Sequence, residues 1–147
     1  MGEYTELNIS VQLKTLPEDS NVMQILKFML GGSDLKFEDL RLPNHPLFKT
    51  RHWKSMLYCD SFYFDHTACS SLVNKTAGIR HPEDATYILN VRCDLKNYDD
   101  EILYFLNWLL PFTETRGFVG YKRGEDADPV LIYFTNDYGV EYKPCFI

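Results

Sequence analysis

Leu7, Ile9, Val11 and Leu13 alternate with Asn8, Ser10, Gln12 and Lys14. An apolar residue at every second position predicts a half-buried strand, because successive side chains leave opposite faces of a sheet. The period then changes. Val22, Ile25, Leu26, Met29 and Leu30 recur at three- and four-residue spacing, as one face of a helix does. Thr15-Leu16-Pro17-Glu18 has the spacing of a capping box with proline in the first turn, which predicts that the helix begins there. Gly31-Gly32 predicts its end, since glycine accepts a left-handed cap. A second alternation sets Tyr87, Leu89, Val91, Cys93 and Leu95 against Ile88, Asn90, Arg92, Asp94 and Lys96. Asn97 offers a cap for a second helix, and Asp99, Asp100 and Glu101 suit its positive end. Ile102, Phe105, Leu106 and Leu109 form its apolar stripe, and Pro111 marks its end. Residues 117–122 and 129–134 read as strands, Asn136-Asp137-Tyr138-Gly139 as a turn, and residues 140–143 as an edge strand.

The middle is less regular. Residues 33–52 mix Leu35, Phe37, Leu40, Leu42, Leu47 and Phe48 with charges and with Pro43 and Pro46, predicting a packed connection with one short helical turn. Residues 53–64 carry Met56, Tyr58, Phe62 and Phe64 against Leu57, Cys59 and Tyr63, and their aromatic richness predicts a strand. Residues 66–85 are polar and turn-prone and read as a loop or irregular hairpin.

LNISVQLK at 7–14 is echoed by LNVRCDLK at 89–96, and ILKFML at 25–30 by FLNWLL at 105–110. The echo predicts two strand–helix–strand units, about 4–64 and 86–134, within one α+β domain over residues 1–147. Joined by an antiparallel link, they predict a ferredoxin-like split β-α-β duplication, a largely antiparallel sheet with both helices on one face. The other face would show Asn8, Ser10, Gln12, Asn90, Arg92 and Asp94, as either a solvated or a docking surface.

Composition narrows the function. With 45% hydrophobic and 24% charged residues among 147, the chain reads as a folded globule rather than a disordered one. Fifteen basic against 21 acidic residues give a net charge of −6, which disfavours nucleic acid held by phosphate neutralisation. No apolar run is long enough for a membrane span, and MGEYTELNIS lacks the basic-then-apolar order of a secretory signal. Cys59, Cys69, Cys93 and Cys145 form no C-x-x-C pair, so reduced thiols in a cytoplasm are expected, and no structural zinc.

Catalytic signals are sparse. His45, His52, His66 and His81 fall in or beside connections, without the short regular spacing of metal ligands. Asp60-Ser61-Phe62-Tyr63-Phe64-Asp65-His66 is the densest ionisable run, and an alternative reading is a small phosphoesterase using His66 with Asp60 or Asp65. His66-Thr67 lacks the spacer and the second copy of the paired histidine motifs of 2H phosphoesterases. Gly117-Phe118-Val119-Gly120 has apolar rather than basic central residues, unlike a KH loop. No phosphate-cradling glycine loop occurs. Tyrosines are abundant, and tyrosine joins an apolar body to a polar tip, which suits interfaces. Arg92, Lys96, Lys122 and Arg123 offer a local positive spot if the fold gathers them. Partner or ligand binding is therefore expected at Asn8, Ser10, Asn90, Arg92, Tyr58, Tyr63, Tyr121, Lys122 and Arg123, with no catalytic residue, metal or cofactor assigned.

HPLFKTRHWKSMLYCDSFYFD at 45–65, YILNVRCDLKNYDDEI at 87–102 and GFVGYKRGEDADPVLIYF at 117–134 resemble a family of small uncharacterised proteins encoded by bacteriophages and prophages. The resemblance implies a bacterial cytoplasm and an accessory gene of a mobile element; it transfers no functional residue. Together these readings predict a non-enzymatic protein that sequesters or blocks a host factor, as a protein inhibitor or a trap for a nucleotide signal in anti-defence. A further alternative is a structural homo-oligomer paired through an exposed strand edge.

Overall fold

A computed structural model describes residues 3–32, 34–61, 63–64, 68–76 and 85–146. Its regular elements are strand β1 (Thr5–Gln12), helix α1 (Asn21–Met29), β2 (Ser71–Asn74), β3 (Tyr87–Leu95), helix α2 (Glu101–Leu109), β4 (Gly117–Gly124), β5 (Val130–Phe134) and β6 (Val140–Pro144). The strands form one six-stranded sheet in the order β2-β3-β1-β4-β5-β6. Every neighbouring pair is antiparallel, so the class is α+β.

The two cleanest alternations in the sequence occupy neighbouring positions inside this sheet. Leu7 lies opposite Cys93, Ile9 opposite Val91 and Val11 opposite Leu89, which puts all six side chains on one face. That face joins Met23, Ile25, Leu26 and Met29 of α1 and Ile102, Phe105, Leu106 and Leu109 of α2 in a single buried cluster. Burying a side chain of this size contributes about 1.5–3 kcal/mol, so this cluster is the main stabilising term.

Helix α1 begins later than the capping box predicts. Leu13 bridges to Thr113, and the Lys14 N–H donates to Phe112 O at 2.8 Å, which keeps the chain extended. Residues 17–20 then make a turn, with Ser20 N–H donating to Pro17 O at 3.0 Å. The Ser20 side chain, rather than Thr15, caps the helix by accepting from Met23 N–H at 3.4 Å. Glu18 is drawn away from any capping role because its carboxylate accepts from the Tyr87 hydroxyl. At the other end Gly31 takes φ +79°, as the sequence predicts for a left-handed stop.

The strand expected over 53–64 is not formed among its described residues: residues 51–58 run through consecutive turns, with Ser55 N–H donating to His52 O at 3.3 Å and Tyr58 N–H to Ser55 O at 3.2 Å. Trp53, Met56 and Leu57 are the buried residues, and their spacing is helical rather than alternating. Aromatic richness suggested a strand, but the apolar period was that of a turn. The connection before it holds two 3-10 turns, Phe37–Asp39 and Pro46–Lys49, where one was expected. The first unit returns to the sheet through β2, inside the stretch read as a loop, where Leu72 lies opposite Leu89 on the core face. Phe62, Asp65, His66, Thr67 and residues 77–84 lie outside the described residues.

The N-cap position of α2 belongs to Asp100, but Asn97 still serves the first turn, its Oδ1 accepting from Ile102 N–H at 2.9 Å. Glu101, in the first turn as the sequence places it, is fully buried. Its two carboxylate oxygens accept from Asp99 N–H and His52 N–H, each at 3.0 Å, tying the helix start to the connection. Phe48 then stands edge-on between Trp53, at 4.9 Å between centroids, and Trp108, at 5.6 Å. Among the described residues no helix is long and apolar enough to cross a membrane.

Candidate functional site

The sheet face opposite the helices is organised in rows set by strand register. One row runs Arg92–Asn8–Tyr121–Leu131–Lys143 across β3, β1, β4, β5 and β6. Neighbouring members stand one strand spacing apart, about 4.8 Å. A second row is Ser71–Asn90–Ser10 across β2, β3 and β1. Here the Ser10 hydroxyl donates to Asn90 Oδ1 at 2.8 Å, and Asn90 Nδ2 reaches Ser71 Oγ at 3.5 Å. Ser70 Oγ accepts from the Arg92 backbone N–H at 3.2 Å. The Arg92 side chain is exposed and makes no hydrogen bond or ion pair among the described residues. The result is a polar surface with, among the described residues, one available guanidinium, hydroxyls, an amide and a tyrosine ring.

The third row, Asp94–Glu6–Arg123, is different. Asp94 was expected on the open surface but is fully buried, and Glu6 is 2% exposed. The chain returning near Cys59 explains this: Cys59 O accepts the Asp94 N–H at 3.1 Å, and the Phe64 ring lies 5.0 Å from the Arg123 guanidinium. Arg123 in turn pairs with Glu6 at 3.3 Å. Tyr63 and Phe64, with Arg123, Gly124, Asp126 and Ala127, line a cleft of about 390 Å³ at this end of the face. The Tyr63 hydroxyl donates to Asp126 and accepts from its backbone N–H, and the first bond holds its pKa above the ordinary value. Among the described residues, the open surface is therefore covered at one end and free over its other part.

No protein-family model, no curated protein and no solved structure matches this chain.

The residues expected to bind separate accordingly. Asn8, Ser10, Asn90, Arg92 and Tyr121 share the free part of the face. Tyr63 and Arg123 belong to the neighbouring cleft. Lys122 does not join them, because register places it beside Leu7 and Val130 on the helix side. Its ammonium lies 4.1 Å from the Tyr142 ring, and burial lowers its pKa. Tyr58 is exposed but rests against Gly31 at the end of α1. Lys96 packs its ammonium 5.7 Å from the Tyr4 ring. The positive spot expected from Arg92, Lys96, Lys122 and Arg123 thus reduces to Arg92 with unpaired charge on the free face.

Asp60 is exposed, while Asp65 and His66, on which a phosphoesterase reading turns, lie outside the described residues. Among the described residues, no three His, Cys, Asp or Glu side chains come together as a metal site. Sequence reasoning missed Ser70 and Ser71 on this face, since their contribution depends on β2, which is too short to carry a strand signal. It also missed the Glu6–Asp94 pairing, which follows from the echoed segments being antiparallel neighbours.

Proposed function

We propose that this chain is a non-enzymatic binding protein that docks a host protein on the free part of its sheet face. The single observation that carries the reading is the row Arg92–Asn8–Tyr121, which among the described residues presents an unpaired guanidinium and an amphipathic ring with no helix over them. Arginine and tyrosine are the side chains that most often supply binding energy at interfaces. A surface of this kind suits a protein that offers a carboxylate or backbone carbonyls opposite Arg92, since guanidinium bonds such groups in a fixed fork. The resemblance of the three quoted runs to phage and prophage proteins supports a setting in the bacterial cytoplasm and a role in blocking host machinery, including defence. The strand order β2-β3-β1-β4 and the helix placements support a ferredoxin-like split β-α-β core extended by the β5–β6 hairpin.

Capture from bacterial lysate on immobilised protein tests this reading. A discrete partner should be retained by the wild type and by Lys122→Ala and Tyr58→Ala, and lost from Arg92→Glu and Ser10→Arg. Equal capture by all five proteins would overturn the proposal, as would capture of nothing. Nucleotide released from the purified protein, with no protein partner, would replace it with signal trapping.

A further inference from the structure

We propose that β6 is a dimerisation edge, on which a second copy of this chain adds its own β6 antiparallel about a two-fold axis through Tyr142. The backbone sets the register. Thr135 N–H donates to Gly139 O at 2.9 Å, so these residues form a hydrogen-bonded pair. Bonded and non-bonded pairs alternate along an antiparallel ladder. Glu141 and Lys143 therefore point their backbone groups at β5, where they lie opposite Tyr133 and Leu131. Val140 and Tyr142 point theirs away from the sheet. No other backbone bond takes up those outward groups among the described residues.

With the axis at Tyr142, the two Tyr142 residues exchange their N–H and C=O bonds. Each Val140 N–H meets the Pro144 C=O of the other copy. Pro144 has no N–H to offer, and at this position the missing donor faces outward, where proline is tolerated on an edge. Between these bonded pairs, Glu141 of each copy falls opposite Lys143 of the other. This is the non-bonded kind of pair, in which side chains approach more closely. Glu141 and Lys143 are each half exposed and already 3.7 Å apart within one chain, so pairing yields a ring of alternating charge.

The sequence also selects this register over its neighbours. An axis through Glu141 sets two carboxylates opposite each other, and one through Lys143 sets two ammoniums opposite each other. Both keep outward backbone groups facing outward ones, so the like charges are what disfavour them. The order Glu-Tyr-Lys is self-complementary about its central residue, and that charge order is what identifies a second copy as the occupant.

An edge contact covers less surface than the ~1,200 Å² of a stable interface, so the dimer is concentration-dependent. Sedimentation velocity on the full chain, from about 10 µM to about 1 mM, tests the proposal. The weight-average mass should climb from 17.2 kDa toward that of a dimer across the series. Glu141→Lys and Lys143→Glu should each weaken association by about tenfold or more, because each opposes like charges across the axis. The double exchange, E141K with K143E, should restore it. Circular dichroism confirms that each variant folds, which these exposed positions favour. A monomer throughout the series overturns the proposal; so does a dimer indifferent to the single exchanges, or one that the double exchange fails to restore.

Discussion

Gly120 shows how one residue constrains the sheet. It takes φ +152° and lies opposite Ile9, at the register shift between β4 and β5. A Cβ there would fall 2.0 Å from the Asn8 carbonyl oxygen and 2.7 Å from Ile9 Cα. Both are backbone atoms in the middle of β1, so neither can step aside. Gly120→Ala should therefore cost about 2 kcal/mol or more, read as a lowered urea midpoint or as failure to accumulate folded protein. Tyr87 offers a gentler test. Its hydroxyl donates to Glu18, and that bond, with burial, lifts its pKa from 10.0 to about 12. A raised folded pKa means that the protonated phenol stabilises the fold. The contribution is complete below pH 10 and is lost as pH rises toward 12. Tyr87→Phe keeps the ring but loses the bond, and should lower stability by about 1–2 kcal/mol at neutral pH. The difference from wild type should vanish in denaturation curves taken above the folded pKa.

Among the elements, the helix starts separate what the residue pattern dictates from what contacts dictate. Ser20 holds the start of α1, so Ser20→Ala should cost about 1 kcal/mol while Thr15→Ala leaves the thermal midpoint near wild type. At α2 the fully buried Glu101 carboxylate satisfies backbone donors of Asp99 and His52. Glu101→Ala strands both, and a loss of about 2–3 kcal/mol is expected in chemical denaturation. Periodic elements were legible in the sequence: β1, β3 and both helix stripes follow from apolar spacing, and the β5–β6 hairpin from its apolar run and the Asn136–Gly139 turn. The capping box at Thr15 matched a pattern, but extended pairing of Leu13 and Lys14 with residues 112–113 outweighed it. Residues 53–58 were misread because β-propensity reports composition, whereas Trp53, Met56 and Leu57 follow a helical period. β2 was invisible because a four-residue edge strand is too short to show a pattern, and its existence depends on β3.

At the scale of the whole molecule, the sheet has one covered face and one that is open over part of its area. Part of the candidate site was legible: Asn8, Ser10, Asn90 and Arg92 follow from parity once both segments are strands. Lys122 was not, because its side depends on the register between β1 and β4, which no single-strand pattern contains. Asp94 was not, because what closes over it comes from a different part of the chain. A two-fold axis normal to the sheet at β6 would leave the Arg92 rows of both copies facing the same way. A dimer would then engage a repeated target at two points, gaining avidity without a new contact.

The stacking around Phe48 has a practical corollary. The chain holds two tryptophans, and both indoles touch that one ring, on the helix side of the sheet. Intrinsic emission is therefore a local probe of the layer where α2 meets the first long connection. It should shift sharply when that layer melts and stay nearly constant when something settles over Arg92. A titration followed by tryptophan light alone would miss the event.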